Sequence, residues 1–351
     1  MLFNSSNGLI GIEVGSCTIK MAQIRKQATG YSIVDTAVVS RQQPWAFESW
    51  HSAPAISSAR EIRSCLSIGN RFQSKQAACA ATMALHDLKS TRIEWTQDGQ
   101  LDRELVRNEL EQSDRFDINK RQFDYWPVPA PYGNEGNNAI VMSIDGQWAS
   151  RIARDIDSSG LCCQSLGGVP MMMARATELA GGSRGLNAMI DFGFTRSTFC
   201  LAWQGQPVFV RVLRQAGFSQ VVNRVCEKIG IRANEAAQLL VDSGLPTGRN
   251  GSAIQKAIAN ASSQTLNTFC EEIKRTLKFL DHDTSFDRPV KVWLSGGGST
   301  VANIGSWLSD RVDVPFEPWR LNEAKTIKSE SLFANSIALS TLAWKTEEAL
   351  V

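Results

Sequence analysis

Two stretches, far apart in the chain, carry an acid just ahead of a glycine and hydroxyl side chains just behind it. In Leu9-Ile-Gly-Ile-Glu-Val-Gly-Ser-Cys-Thr-Ile-Lys20 the residues are Glu13, Gly15, Ser16, Cys17 and Thr18. In Ala188-Met-Ile-Asp-Phe-Gly-Phe-Thr-Arg-Ser-Thr-Phe-Cys-Leu-Ala202 they are Asp191, Gly193, Thr195, Arg196 and Ser197. Glycine has no Cβ, so backbone N–H groups and small hydroxyls in such a turn can close around a phosphate. A plain β-hairpin explains either turn taken singly. The echo points beyond it, and so does a third turn, Gly296-Gly297-Gly298-Ser299, where an apolar strand at 290–295 runs out.

Strands and helices must hold these turns in place. Residues 9–14, 18–24 and 31–39 read as a strand meander, followed by a helix over 56–68 with Ser57 or Ser58 as N-cap and a small-residue strand over 77–84. The second half opens the same way at about residue 186, with a hairpin at Gln204-Gly205 and a third strand over 208–213. Helices are expected over 219–229, 233–243 and 263–280, the last with Leu266, Phe269, Cys270, Ile273, Leu277 and Leu280 on one face. A helix from Val301 to Arg311, a short strand at 314–316 and a last helix over 333–345 complete it. Two halves built alike indicate an internal duplication. Between them, 85–160 reads strand–helix–strand–strand–helix with a turn at Asp98-Gly99, and residues 160–165 and 170–179 return as strand and helix.

Composition narrows the function classes. A chain of 351 residues exceeds one ordinary core and predicts two domains. A net charge of only +2 gives no global attraction to nucleic acid or anionic membrane. No apolar run approaches the roughly 18 residues of a membrane span, and the N-terminus lacks the pattern of a secretory signal. Eight cysteines include no C-x-x-C pair, which suits a reducing compartment better than a disulfide or zinc framework. The three histidines are scattered and form no ligand or base constellation.

The order of the three turns resembles the actin-like ATPase superfamily, with its two phosphate loops and adenosine loop. Within it the likeness is to the PilM-like proteins of type IV pilus assembly, in the branch shared with FtsA. It is carried by LIGIEVGSCTIKMAQIRK, RELVRNELEQSDRFDINKRQFDYWPVP, AMIDFGFTRSTFCLAWQGQPVFVR, EEIKRTLKFL and LSGGGSTVANIGSWLSDRVDVPFEPW. The resemblance implies an α/β, actin-like (ribonuclease H-like) two-domain fold with an inserted 1C-type α/β subdomain. The first lobe would span 1–84 and 161–185, the insert 85–160, the second lobe 186–330, and a C-terminal helix 331–351. It further implies that the two phosphate hairpins face each other across a cleft holding ATP and Mg²⁺. Glu13, Gly15, Ser16, Cys17 and Thr18 would form one wall and Asp191, Gly193, Thr195, Arg196 and Ser197 the other. Glu13 and Asp191 would hold the metal, and Gly296, Gly297, Gly298 and Ser299 would lie under the nucleoside.

The departures are informative. Glu13 stands where the family has Asp, and its extra methylene pushes the carboxylate about an ångström further out. Phe194 and Arg196 replace small or hydroxyl residues; Arg196 would pair with a phosphate or replace the cation. Ala237 and Leu240 occupy positions where the family tends to carry Glu and Lys, and 165–169 has no acid near the attacking water. These losses argue against hydrolysis and leave ATP with Mg²⁺ against a vestigial cleft as open alternatives. The expected function is a cytoplasmic, non-enzymatic adaptor of pilus or related secretion assembly, peripheral to the inner membrane. Its partner would be the N-terminal peptide of an inner-membrane PilN-like protein, bound between the first domain and its insert. The alternative is a nucleotide-switched actin-like ATPase that polymerises or cycles. A sugar or acetate kinase lacks its catalytic acid here. The chain's last residues, Lys345-Thr-Glu-Glu-Ala-Leu-Val351, are acidic and do not suit a basic membrane-binding tail.

Overall fold

The computed structural model describes residues 6–45, 57–93, 102–112, 117–129, 132, 138–181, 185–213, 216–248, 251–282, 287–321 and 329–344. The expected turn at Asp98-Gly99 and the acidic last residues lie outside them. Two compact units divide the chain: Met1–Met171 with Leu339–Val351, and Met172–Ala338. They are called the first and second lobes below.

The first lobe begins as a meander of β1 (Ile10–Val14), β2 (Thr18–Gln27) and β3 (Gly30–Ser40). After α1 (Ala59–Ile68), β4 (Gln76–Ala81) joins parallel to β1. Then come β5 (His86–Thr91), α2 (Arg103–Glu111), β6 (Arg121–Pro127), β7 (Ala139–Asp145), α3 (Gly146–Asp157) and β8 (Cys162–Gly168). The main sheet has the order β3-β2-β1-β4-β8, and a separate antiparallel sheet has the order β5-β7-β6. β4 reads Gln-Ala-Ala-Cys-Ala-Ala and is buried after its first residue, as expected of a central strand packed on both faces. Ile62 and Cys65 of α1 and Trp148, Ile152 and Ile156 of α3 join Ile10, Ile12 and Ile19 in one core. The smaller sheet has its own core, in which α2 supplies Val106 and Leu110 against Ile93, Ile118, Ala139 and Val141. Asp102 caps α2, accepting from Glu104 N at 2.5 Å.

After α4 (Val169–Leu179) the plan repeats. β9 (Leu186–Phe192), β10 (Ser197–Trp203) and β11 (Gln206–Leu213) form a second meander. Helices α5 (Phe218–Ile229), α6 (Ala233–Asp242) and α7 (Ala253–His282) precede β12 (Val292–Ser295), α8 (Ile304–Ser309), β13 (Phe316–Pro318) and α9 (Ala334–Ser340). The sheet order β11-β10-β9-β12-β13 matches the first lobe position for position, antiparallel in the meander and parallel beyond it.

Some boundaries moved. α7 is 30 residues long and starts ten residues before the expected 263. Its first turns are rich in Ala, Asn and Ser, which blur the apolar period; the Ser262 hydroxyl donates to Ile258 O. The expected helix over 301–311 shrinks to α8, because Asn303 adopts a left-handed φ of 66° just before it. The return strand expected at 160–165 is β8, whose pairing with β4 continues to Ala81↔Gly168.

The chain closes on its own start. Ser340, at the end of α9, accepts Leu9 N at its carbonyl (3.1 Å). Its hydroxyl donates to Leu9 O (2.6 Å) and accepts Ile24 N (3.0 Å). A Cβ on Gly8 would come within 2.3 Å of the Ser340 carbonyl oxygen, so only glycine fits there. Ser340→Ala removes one partner from the buried Ile24 N–H and one from the half-buried Leu9 carbonyl. It is expected to cost about 1–3 kcal/mol in urea unfolding.

Candidate functional site

In the first lobe the turn between β1 and β2 brings together Glu13, Gly15, Ser16, Cys17 and Thr18. Gly15 N donates to Thr18 O at 3.0 Å, and a Cβ on Gly15 would meet that oxygen at 2.8 Å. Three successive carbonyls of the turn are tied back by one later segment. Gly15 O accepts Arg41 Nε (2.7 Å), Ser16 O accepts Trp45 N (2.7 Å) and Cys17 O accepts Arg41 N (2.8 Å). In a trans peptide the N–H points opposite to the C=O. Anchoring these carbonyls on one side therefore aims the N–H groups of Ser16, Cys17 and Thr18 to the other, the arrangement of an anion nest.

Arg41 is itself well held. Its Nη1 donates to Ser58 Oγ at 3.0 Å, and its guanidinium lies 3.7 Å over the Trp45 ring. Burial lowers its pKa to about 10, opposed by the nearby Glu61 and Asp155 carboxylates, and it stays charged at neutral pH. Burial also pushes the Cys17 thiol up, against the pull of Arg41 and Lys20, so it is no thiolate.

Glu13 does not present a bare carboxylate. It pairs across the strands with Lys20, and Lys20 Nζ lies 2.5 Å from its Oε1. Both residues are 5% exposed, and Glu13 Oε2 is buried without a hydrogen-bond partner. A divalent ion on that oxygen would sit about 4–5 Å from the ammonium, a like-charge repulsion of several kcal/mol at an effective dielectric near 20. The turn fits an anion; Glu13 fits a divalent metal poorly. Among the described residues no group of three His, Cys, Asp or Glu side chains is arranged to hold a metal.

In the second lobe the β9–β10 turn and the glycine turn after β12 meet. Asp191 is 8% exposed on β9. Here too the turn carbonyls are tied back: Gly193 O accepts Phe218 N and Phe194 O accepts Ser219 N, both at 2.9 Å, from the start of α5. Gly217 makes this approach possible, because a Cβ there would lie 2.4 Å from Thr195 O. Thr195 and Arg196 are half-buried in the turn, while Ser197 is buried and its hydroxyl donates to Ala216 O, inside the lobe. Gly296 has φ 80°, and a Cβ on it would strike Asp191 Oδ1 at 2.2 Å. A Cβ on Gly298 would strike the Phe192 ring at 2.2 Å, whereas one on Gly297 would meet only Phe218, at 3.6 Å. Close packing inside the lobe thus accounts for Gly296 and Gly298 directly. Ser299 is spent on Gly296 O and Ser331 Oγ. Leu240, fully buried on α6, packs with this region through Ala302 N on its carbonyl.

Sequence reasoning missed Lys20, Arg41, Trp45 and Gly217. It also left unnamed a groove of about 250 Å³ in the first lobe. Its lining is mixed: Phe123, Met142, Ile144 and Leu166 are apolar, and His86, Arg103, Gln122 and Asp124 are polar. Strands β6 and β8, each outermost in its sheet, both contribute. Arg103 stacks 4.4 Å over Phe123 and donates to its carbonyl. A Cβ on Gly168 would hit Met142 Sδ, but one on Gly167 would meet nothing within 4 Å. Burial pulls the His86 pKa down to about 4, against the Thr82 carbonyl beside Nδ1, so the ring is neutral at pH 7.

Two outcomes follow. Gly296→Ala combines a strained positive φ with a clash and is expected to lower stability by about 2 kcal/mol or more, read as a shifted urea midpoint. As pH falls below 6.5 the unfolded His86 takes up a proton that the folded one refuses until about 4. Its contribution is therefore intact above pH 6.5 and is lost progressively towards pH 4. The urea midpoint of the wild type should fall more over that window than that of His86→Gln.

No protein-family model matches the chain, and none of the curated proteins does. Solved structures do. The PilM–PilN type IV pilus biogenesis complex aligns with a TM-score of 0.72 at 19% identity, covering 96% of this chain and 98% of that one. The ethanolamine utilization protein EutJ from Carboxydothermus hydrogenoformans aligns with a TM-score of 0.57 at 12% identity, covering 95% and 89%. With the duplicated five-stranded sheets, these likenesses show that the chain has the two-lobed α/β fold of the actin-like ATPases.

Proposed function

We propose that this protein is a non-enzymatic adaptor of type IV pilus or related secretion assembly. It works at the cytoplasmic face of the inner membrane and captures the N-terminal peptide of a PilN-like membrane protein. The observation that carries this reading is the first-lobe groove between two sheets. Met142, Ile144 and Leu166 on its lining suit aliphatic side chains, Arg103, Gln122 and Asp124 suit polar ones, and the outermost strands beside it suit an extended backbone. The likeness to PilM in a complex with PilN supports the same partner class. Among the described residues no helix is long and apolar enough to cross a membrane, so attachment would come through the partner.

A second reading concerns the hairpins. Tied-back carbonyls aim the first turn's N–H groups outward, which favours retention of a nucleotide's phosphates as a structural ligand. The missing acid in 165–169 argues against turnover, so the nucleotide would be held and not consumed.

Gly167 provides a test of the adaptor reading, because a Cβ there meets nothing within 4 Å. Gly167→Leu is expected to weaken binding of the PilN-like N-terminal peptide by about tenfold or more while the melting temperature stays put. Undiminished affinity in calorimetric titration would place the peptide elsewhere and defeat this proposal.

A further inference from the structure

We infer that the first-lobe hairpin carries its own cation, so that a polyphosphate held at this turn needs no divalent metal. The inference rests on the nucleotide reading of the same turn and specifies its chemistry. An acid two residues before a phosphate-binding glycine repels the phosphate unless a cation intervenes. In this chain the cation is covalently built in: Lys20 Nζ sits 2.5 Å from Glu13 Oε1, and both residues are buried.

The pairing is fixed by the fold and does not depend on a chance rotamer. The turn sets the register Val14↔Ile19, and Glu13↔Lys20 is the next pair, followed by Ile12↔Met21. Alternation puts both side chains on one face of the sheet, opposite each other. The second cation near the turn, Arg41, holds the carbonyl side and is balanced by Glu61 and Asp155, so it does not compete for Glu13. With Glu13 neutralised in place, the turn's N–H groups meet an anion with no net negative charge beside them. A dication reaching the remaining oxygen, Glu13 Oε2, would meet the repulsion of the ammonium held on Oε1.

The test is calorimetric titration of the full chain with ATP, in excess Mg²⁺ and again in EDTA. The expected result is binding in both, with dissociation constants within about threefold of each other. Lys20→Met, which restores a bare carboxylate, is expected to lose about tenfold or more in EDTA and to recover in Mg²⁺. Because that variant leaves a buried charge uncompensated, Glu13→Gln/Lys20→Met serves as a folded counterpart with a neutral turn. Its ATP affinity is expected to be indifferent to Mg²⁺. Wild-type binding that requires Mg²⁺, or a double variant that depends on it, overturns the inference while leaving nucleotide binding intact. No binding in either buffer removes the nucleotide reading itself, and the inference with it.

Discussion

The shape of both hairpin tips depends on hydrogen bonds to their carbonyls from distant segments. Arg41 and Trp45 supply them in the first lobe, Phe218 and Ser219 in the second. Each such bond contributes only about 1 kcal/mol net, but losing one leaves a carbonyl without a partner, which costs more. The first set is coupled to the core. Arg41 stacks on Trp45, and Trp45 packs against Trp148 of α3 with ring centroids 5.2 Å apart. A turn at the strand ends is thereby tied to a helix whose buried face belongs to the lobe's core, and its N–H groups inherit that rigidity.

The buried Glu13–Lys20 pair contributes less to stability than its short distance suggests, because two charges have been desolvated to form it. Its effect is on what the turn can bind. A charge that would have called for a mobile counter-ion is answered by a tethered one. The two lobes differ here, although their topologies match: Asp191 faces the backbone of Gly296 and the start of the glycine turn, with no lysine registered opposite it, since its partner on β10 is Thr198.

Much of this was legible in the sequence. The acid–glycine–hydroxyl echo marked both meanders and their turns, and the glycine run after an apolar strand marked the third turn, because local turn chemistry and strand alternation act over a few residues. Lys20 was not reachable by counting: a turn at Gly15-Ser16 pairs position 13 with 18, whereas the observed register is centred on Ser16-Cys17 and pairs Glu13 with Lys20. Nor were Arg41, Trp45 and Gly217 reachable. Their role arises from contacts between residues that are neighbours only after folding. The groove was illegible for the same reason, since its lining comes from four separate strands and a helix. The glycine turn carried a subtler lesson. Its residues were located correctly, yet the phenyl ring of Phe192 and the carboxylate of Asp191 are sufficient cause for Gly298 and Gly296, with no ligand invoked.

Ser340 ties the last described helix to the first strands, and the order of synthesis gives that latch a further meaning. The meander that emerges first from the ribosome lacks its final hydrogen-bond partners until more than three hundred residues later. The intervening lobe has every strand of its sheet within one continuous stretch. The earlier-made half is thus the later-finished one, and nascent chains stalled just before Leu339 would carry every residue of the second lobe and an unlatched first.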